Sequence, residues 1–502
     1  MTVPFAELLR ELGPPAGAGR GFVGRGRWRT ETVLHDVYRG AARHPHRAAV
    51  VSHRAHRPDG SRVTRISYAQ LAAYTGRFAH ALDALGVRPG DPVALQLPNR
   101  WETVALLLAC LRTGAVAVPV MTGYGARDLE AVLGASEARL CVVTDRWEGA
   151  EPARVLASLA PRLPWLRHRV VLADAVAGAD AVDAGAIDFV RHFVRSPHER
   201  YRSAGWLRLP SGPADQVCLA VTSLGLRSAH TMALYTPNTL HAGLPGGVGW
   251  AEAAFSALPL AASPSLAHGV LAPLTRGGTA VLQDVWDARA ALALLAAEEV
   301  GHVYATPAQW ADLVAERERG PREAGAGLYG AFVSDPAGVP AALARGARAA
   351  LGVPLRALPG PAARAEDGPG PSSPLAVWRR DGSLAPTWGR DGAGAVVAPD
   401  HTDEVGGLFL VPVTEIEALL AVHPRVAEAA LVARADPRHG ELACAVVVPD
   451  GTPPTLAELR EHLTARGVPP AHLPAGLLLR GALPRTSSGA LRRRHLQETI
   501  AL

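Results

Sequence analysis

The 502-residue chain contains no lysine, so all 51 of its Lys and Arg residues are arginines. Gly and Pro are abundant and Asn is rare. Lysine and asparagine codons are rich in A and T, so this bias fits a GC-rich genome. Codon drift turns lysine into arginine and keeps the charge. Such drift does not replace a lysine with an uncharged residue.

Cysteine is scarce, and the four cysteines are far apart in the sequence: Cys110, Cys141, Cys218 and Cys444. Their spacing fits neither a disulfide framework nor a zinc site. We therefore predict buried thiols in a reducing cytosol.

Long apolar runs are also missing. The most apolar stretch, 104–110, ends at Arg112, far short of the roughly 20 residues that a membrane span needs. The N-terminal run 5–12 is interrupted by charge and followed by Gly and Pro, which argues against a signal peptide. The sequence predicts a cytoplasmic protein with no membrane partner.

The net charge of +5 does not indicate a nucleic-acid partner. The arginines are scattered among 46 acidic residues, and no basic stripe alternates with aromatic residues. The run 492–494 is typical of a solvated helix face. Four histidines between positions 44 and 56 lack ligand spacing, so we predict loop histidines and no metal site.

A chain of this length predicts two or more domains. Apolar segments typical of strands (47–52, 62–67, 93–97, 115–120, 139–144, 279–283, 301–304) alternate with patterns typical of helices (68–85, 101–113, 288–297 and from 307). Strands alternating with helices of this length indicate βαβ units and a parallel sheet.

Three segments are predicted. Residues 1–30, rich in Gly and Arg, are expected to be a flexible lead-in, and 31–398 a large α/β domain of parallel-sheet βαβ subdomains. Residues 358–376, rich in Pro, Gly and Ala, are expected to be loop. Near Asp400 the pattern changes, and 399–502 is expected to be a small α+β domain, with helices at 413–421 and 455–466 and strands at 426–433 and 442–449.

The stretch 483–493, LPRTSSGALRR, resembles the C-terminal signature of the adenylate-forming superfamily, which includes acyl- and aryl-CoA synthetases. The segments ISYAQLAAYTGRFAHALDALGVRPGDPVALQLPN, WETVALLLACLRTGAVAVPV and VPVTEIEALLAVHPRVAEAALVARADPRHGELACAVVVPDG extend the resemblance along nearly the whole chain. By eye it is greatest to cyclohexanecarboxylate and short-chain acyl-CoA ligases. The resemblance implies the family's two-domain fold.

The resemblance also implies where ATP chemistry would be located, and there the residues differ. The family's C-terminal lysine, which bridges the carboxylate substrate and the α-phosphate, is Ala490 here. In the phosphate loop Thr222 and Ser223 persist, but a glycine has become Leu224 and the lysine is gone. Leucine lacks the backbone freedom of glycine and would crowd a phosphate.

Other motifs have changed in the same way. The motif that stacks on adenine and holds Mg²⁺ reads 359–363 PGPAA, and we do not expect Glu366 to replace its carboxylate. The ribose-binding aspartate is Ser383, and the hinge reads 397–401 VAPDH. The histidine beside the acyl pocket is Ala262, although His268 follows. Residues that shape turns and packing are kept, among them Gly382, Gly407, Glu415, Glu417, Pro484 and Gly489.

Four or five lost charged or bidentate contacts would remove on the order of 10 kcal/mol of ATP and transition-state binding. We therefore expect a pseudoenzyme or repurposed member of secondary metabolism that binds a small organic acid or a partner enzyme and needs no cofactor. The expected acyl-type pocket is lined by segments 255–275 and 302–310, with Ala262, His268, Thr306, Ser334 and Asp335 as candidate residues.

Two alternatives stay open. One is an active AMP-forming ligase using ATP, Mg²⁺ and CoA, or an activator of a non-carbon acid such as nitrite, with Arg227 or His230 replacing the phosphate-loop lysine. The other is an ATP-independent enzyme in the same cleft, with Ser223, His230, His268 or Asp335 as acid–base groups. Ligand, partner and oligomeric state are not fixed by the sequence.

Overall fold

A computed structural model describes most of the chain. The described residues are 5, 9, 12–13, 16–55, 62–173, 185–201, 207, 214–224, 230–244, 253–319, 328, 330–333, 339, 341–358, 376–378, 384–386, 404–405, 411–436, 440–468, 470–484 and 496. Within them, side chains are described for most positions.

The strands are numbered in chain order: β1 (Ala48–His53), β2 (Val63–Ser67), β3 (Pro92–Gln96), β4 (Val116–Pro119), β5 (Leu140–Thr144), β6 (His168–Leu172), β7 (Ala186–Asp188), β8 (Leu219–Leu224), β9 (His230–Tyr235), β10 (Ala253–Ser256), β11 (Thr279–Gln283), β12 (His302–Ala305), β13 (Gly330–Val333), β14 (Leu355–Ala357), β15 (Ala376–Trp378), β16 (Leu384–Pro386), β17 (Glu404–Val405), β18 (Val411–Pro412), β19 (Val426–Asp436), β20 (Gly440–Pro449) and β21 (Gly476–Leu479).

The α-helices are α1 (Ala16–Gly24), α2 (Val33–Arg43), α3 (Tyr68–Ala84), α4 (Trp101–Thr113), α5 (Ala126–Ser136), α6 (Pro152–Leu159), α7 (His198–Tyr201), α8 (Pro237–Ala242), α9 (Ala272–Thr275), α10 (Ala288–Ala297), α11 (Pro307–Arg319), α12 (Ala341–Leu351), α13 (Val413–Ala421) and α14 (Leu456–Thr464). Two π-helical segments, Val190–Arg195 and Ser265–Leu271, and two 3₁₀ turns, Ala160–Arg162 and Pro470–His472, complete them.

Two large sheets form the N-terminal part. One has the order β16-β15-β9-β8-β4-β3-β5-β6-β7 and the other β14-β13-β12-β10-β11-β1-β2. Their central strands are parallel, whereas antiparallel pairs occur toward the edges, at β1/β2 and from β8 to β16. Together with the smaller C-terminal domain, this confirms the predicted fold class.

Local sequence signals explain the element boundaries. At the start of α3 the Ser67 hydroxyl accepts from the Gln70 amide, and the Gln70 side chain accepts from the Ser67 amide. At the end of α4 the chain turns at Gly114, whose φ of 68° lies in the left-handed region. These signals explain why the predicted strands and helices between positions 47 and 144 occur within about two residues of their expected ends.

The N-terminal part packs in layers. One core cluster lies between the two sheets and contains side chains of α2, α3 and α4 together with β3, β11 and the segment 266–274. A second covers the other face of the nine-stranded sheet with α5 and α6. A third covers the outer face of the seven-stranded sheet with α10, α11 and α12. Both sheets are thus covered on two faces, which fits their continuous apolar strands.

The predicted flexible lead-in is wrong in part, because residues 16–24 form helix α1. Phe22 packs against the buried Trp28 with ring centroids 5.2 Å apart. Phe5 and Leu9 are 1% exposed and belong to the core under the nine-stranded sheet. Burial of these side chains orders a Gly-rich segment whose local propensity is low.

The small domain contains the predicted helices and strands. Strands β19 and β20 pair antiparallel, and β21 pairs parallel to β20. The Glu417 carboxylate in α13 accepts from the Leu431 amide at 2.6 Å, which fastens the helix to the sheet. The predicted boundary between 398 and 399 and most of the predicted loop 358–376 lie outside the described residues, so both stay predictions.

All four cysteines are free and buried, as predicted. Cys110 and Cys218 lie in the core between the sheets, Cys141 lies under the nine-stranded sheet, and Cys444 lies in the small domain. Burial raises the pKa of the Cys110 thiol to about 12 and raises the pKa of the other three thiols. Each is therefore held as an unreactive thiol.

Candidate active site

The order of the seven-stranded sheet locates a crevice. Strand β10 lies between β11 and β12, and all three are parallel. After β10 the chain moves to one side, to β11, and it then crosses back over β10 to β12. Ligands of open α/β sheets bind outside the carboxyl ends of strands at such a reversal. Here this point lies beyond Ser256 and Ala305.

The segment that follows β10 is held by buried hydrogen bonds. The Ser256 and Ser265 hydroxyls are 2.9 Å apart, and Ser265 also donates to the Leu258 carbonyl at 2.7 Å. A Cβ on Gly269 would come within 2.5 Å of the Ser256 Cβ. Only glycine at 269 therefore lets the segment 265–271 lie this close to the strand.

Three aromatic rings form a stack on the inner face of the sheet. The His268 ring lies on Tyr304 with centroids 5.4 Å apart, and Tyr304 lies on Phe332 at 5.0 Å. A Cβ on Gly330 would come within 2.7 Å of both the His302 and Phe332 rings, so glycine is needed beside the stack. Tyr304 and Phe332 share a face because they alternate with the outward Val303 and Val333.

The stack carries two buried polar atoms without a partner among the described residues, Nδ1 of His268 and the Tyr304 hydroxyl. Burial lowers the pKa of His268 to about 4 and raises that of Tyr304. Both groups are uncharged at neutral pH. Unpaired buried polar atoms are costly, so these two mark a place where a ligand or water would bind favourably.

The structure places three of the predicted pocket residues. Ala262 is buried, and His268 belongs to the stack. The Thr306 hydroxyl instead accepts from the Gln309 amide at 3.3 Å and caps α11. Gln309 in turn donates to the Ala257 carbonyl, joining the segments that follow β10 and β12. Ser334 and Asp335 lie outside the described residues.

The expected phosphate loop is located in the hairpin β8–β9. Thr222 is buried and pairs with Met232, and the backbones of Leu224 and His230 pair at the hairpin end. The side chains of Ser223 and His230 are not described, and 225–229, with Arg227, lie outside the described residues. So do the other motif positions, Ser383, 359–363, Glu366, 397–401 and Ala490. Their roles stay predictions.

Sequence reasoning missed the residues that support the crevice from the other sheet. The Asn99 side chain donates to the Leu258 carbonyl at 2.9 Å and accepts from the Leu260 amide at 2.8 Å. Next to it, Arg100 forms a buried ion pair with Asp284 at 3.0 Å and lies over the Trp147 ring. The polar pair Asn99-Arg100 directly after a buried strand was the available signal.

The described residues do not form a metal cage. Among them, no group of three or more His, Cys, Asp or Glu side chains converges to hold an ion. Across the same described ranges, no helix is both long and apolar enough to cross a bilayer.

Two family models match the chain. The model of the AMP-binding enzymes matches residues 37–195, and the model of the AMP-binding enzyme C-terminal domain matches residues 415–490. The chain is 27% identical to a salicylyl-CoA synthase / salicylate adenylyltransferase from a Streptomyces species, over 87% of the chain and 89% of that protein. It is 28% identical to the salicyl-AMP ligase / salicyl-S-ArCP synthetase of Mycobacterium tuberculosis, over 97% and 94%.

Solved structures share the fold. The amide bond synthetase McbA from Marinactinospora thermotolerans matches with a TM-score of 0.67 at 18% identity, over 93% of this chain and 99% of that one. The apo structure of MbtA from Mycobacterium smegmatis matches with a TM-score of 0.59 at 22% identity, over 99% and 100%. At these identities the likeness concerns the fold alone.

Proposed function

Because the chain belongs to the adenylate-forming superfamily, as an acyl-CoA synthetase-like member, we propose that it retains the acid-binding cleft of that fold and has lost adenylate formation. In this proposal it is a pseudoenzyme or repurposed member that binds a small aromatic carboxylic acid.

The observation that carries the proposal is Ala490. In the family, the lysine at this position bridges the carboxylate and the α-phosphate, and this chain has no lysine at all. An alanine methyl group supplies neither a charge nor a donor. A lost charged hydrogen bond costs about 1.5–3 kcal/mol, which corresponds to roughly 10–100-fold in rate.

The other divergent motifs support the same reading. Leu224, the segment 359–363 and Ser383 all lie between the two matched segments, and Ala490 is the last residue of the second. A single change could be compensated nearby. Losses at the phosphate, adenine and ribose positions would each need a compensating group of their own, and Arg227 or His230 would serve the phosphate loop alone.

The proposed ligand follows from the aromatic stack. The Tyr304 hydroxyl and Nδ1 of His268 lie beside the crevice with no partner among the described residues, and both groups are uncharged at neutral pH. Tyr304 can donate to a carboxylate oxygen, and the stacked rings suit an aromatic ring. The names of the relatives above also concern salicylate. We therefore propose that the small organic acid expected from the sequence is an aromatic acid.

The test is calorimetric titration with salicylate, alone and with Mg-ATP, together with an assay of pyrophosphate release. We expect salicylate to bind, Tyr304→Phe to weaken it about tenfold, and no pyrophosphate to appear. Because the Tyr304 hydroxyl has no partner among the described residues, Tyr304→Phe should not lower the melting temperature. Tyr201→Phe, at an 81% exposed tyrosine, is the matched control. Failure of aromatic acids to bind would overturn the proposal.

The second candidate is an active AMP-forming acid ligase. It is favoured by relatives named as adenylyltransferase and AMP ligase that align over at least 87% of the chain. Acid-dependent pyrophosphate release would establish it. A partner enzyme and a role in secondary metabolism remain parts of the first proposal. A pull-down from the native host would test for the partner enzyme.

A further inference from the structure

A half-open cavity lies near the amino ends of β4 and β8, two central strands of the nine-stranded sheet. Helix α4 starts at the carboxyl end of β3 and runs back toward the amino end of β4. Its second half, with Leu108 and Leu111, lines the cavity. So do Leu219, the first residue of β8, and Thr275, the last residue of α9, which leads into β11. No residue of the expected pocket segment 302–310 lines it, whereas Leu266, Leu271 and Thr275 of the expected segment 255–275 do.

The cavity is small and mainly aliphatic. The space open to the centre of a water-sized sphere is about 50 Å³. One water needs roughly 10–15 Å³ of such space, so about three to five non-hydrogen atoms fit. The cavity therefore admits a flexible molecule of about five non-hydrogen atoms. Leucines of α4, β8, α8 and the segment 265–271 form most of its wall.

Three polar residues interrupt this wall, and each has a buried atom with no partner among the described residues. These atoms are Nε of Arg29, Nδ1 of His241 and Oγ1 of Thr275. Buried polar atoms on three residues of one apolar wall are costly when unpaired. A ligand that satisfied them would gain affinity on entering.

The charges favour an uncharged ligand. The Arg29 guanidinium is already paired in a fork with Asp36, at 3.1 and 2.5 Å, and Asp36 also pairs with Arg39 at 2.8 Å. Burial, followed by the charge of Arg29, lowers the pKa of His241, so the ring is neutral. Arg276 is exposed to solvent and donates to the Ala272 carbonyl. A buried anion would have to compete with Asp36.

We propose that this cavity binds a small uncharged molecule with an aliphatic body and one hydroxyl group, of the size of a four-carbon alcohol. The hydroxyl is both donor and acceptor. It can accept from Arg29 Nε–H and exchange a hydrogen bond with Thr275 or His241, while the aliphatic body packs on Leu108 and Leu219. Neither His268 nor Tyr304 lines the cavity, so this proposal does not depend on the proposed acid site.

The test uses 1-butanol as probe and butyrate as its charged counterpart, with binding followed by saturation-transfer NMR on the full chain. We expect millimolar binding of butanol and at least tenfold weaker binding of butyrate. Thr275→Val, which keeps the shape and removes the hydroxyl, should weaken butanol binding about five- to tenfold. Thr464→Val, at an exposed threonine of α14, is the matched control.

A filling variant gives a second readout. Ala117 lines the cavity at the sheet, and Ala117→Leu should abolish butanol binding. Circular dichroism checks that Ala117→Leu folds. If this variant does not fold, the Thr275→Val result alone tests whether butanol binds in the cavity. Tighter binding of butyrate than of butanol overturns the uncharged class. Absence of butanol binding, or equal binding by wild type and Thr275→Val, shows that water alone pairs the three atoms and overturns the site. His268→Phe should leave butanol binding unchanged.

Discussion

The buried ion pair between Arg100 and Asp284 should be a main determinant of stability in the large domain. The side chains are only 2% and 1% exposed and lie 3.0 Å apart, and Arg100 comes from the nine-stranded sheet region whereas Asp284 follows a strand of the other sheet. The change to make is Arg100→Met, which keeps most of the aliphatic volume and removes the charge.

The loss in the free energy of unfolding depends on which hydrogen-bond donors the Asp284 carboxylate keeps. Without Arg100 its carboxylate retains the Ala55 and Val285 amides, at 2.9 and 2.8 Å, as donors. Removing one partner of a buried pair typically costs 3–5 kcal/mol, so we expect a loss of about 3–5 kcal/mol in the free energy of unfolding. That corresponds to roughly 10²–10⁴ in the unfolding equilibrium constant.

The assay is urea unfolding followed by tryptophan fluorescence, with two further variants. In Arg100→Met/Asp284→Asn the amide oxygen still accepts from the two backbone amides and no charge is buried, so we expect recovery of at least about half of the loss. Arg154→Met disrupts the exposed pair with Glu151 and should change stability by less than about 0.5 kcal/mol. A loss below about 1 kcal/mol for Arg100→Met would refute the reasoning.

Three further outcomes are expected. Millimolar Mg-ATP should not raise the melting temperature, although a ligand at 100 times its Kd stabilises by about 2.7 kcal/mol; a reproducible shift would favour the active ligase. Ala490→Lys should not restore pyrophosphate release, because the phosphate and adenine motifs also differ; rescue would show that those sites function. Burial lowers the pKa of His268 to about 4, so between its ordinary pKa of 6.5 and pH 4 the unfolded chain binds a proton that the folded chain excludes. Stability should therefore fall as pH drops through this window. We expect the free energy of unfolding, measured by urea titrations from pH 7 to 4, to decrease by up to about 3 kcal/mol less in His268→Phe than in the wild type. If both proteins lost stability equally over this pH range, the burial of this ring would be contradicted.

Local patterns were enough to predict much of the fold. Strand β11 and helix α10 lie where apolar periodicity and the Asp287 cap indicate. Helix α1 was missed because its order comes from the Phe22–Trp28 contact, which a Gly-rich segment does not reveal. Thr306 was interpreted as a pocket residue although Thr306 and Gln309 have the spacing of a capping box, a signal available in the sequence.

The site was harder to predict for a physical reason. His268 was named because it follows Ala262, the family's histidine position, by six residues. Its contact with Tyr304 joins residues 36 positions apart and depends on strand order. Asn99 reaches Leu258 across the two sheets. The cavity near Thr275 is lined by several separate segments. Such juxtapositions are set by tertiary packing, which composition and periodicity do not encode.

The four buried thiols make the protein a reporter of its own opening. In the native state no cysteine presents a thiolate to a maleimide, so modification must proceed through conformations in which a core is exposed. Cys110 and Cys218 would then record opening between the large sheets, and Cys444 opening of the small domain. Mass spectrometry of labelled peptides over time would therefore measure the rate of transient opening of each region separately, in the wild-type protein and without an engineered probe.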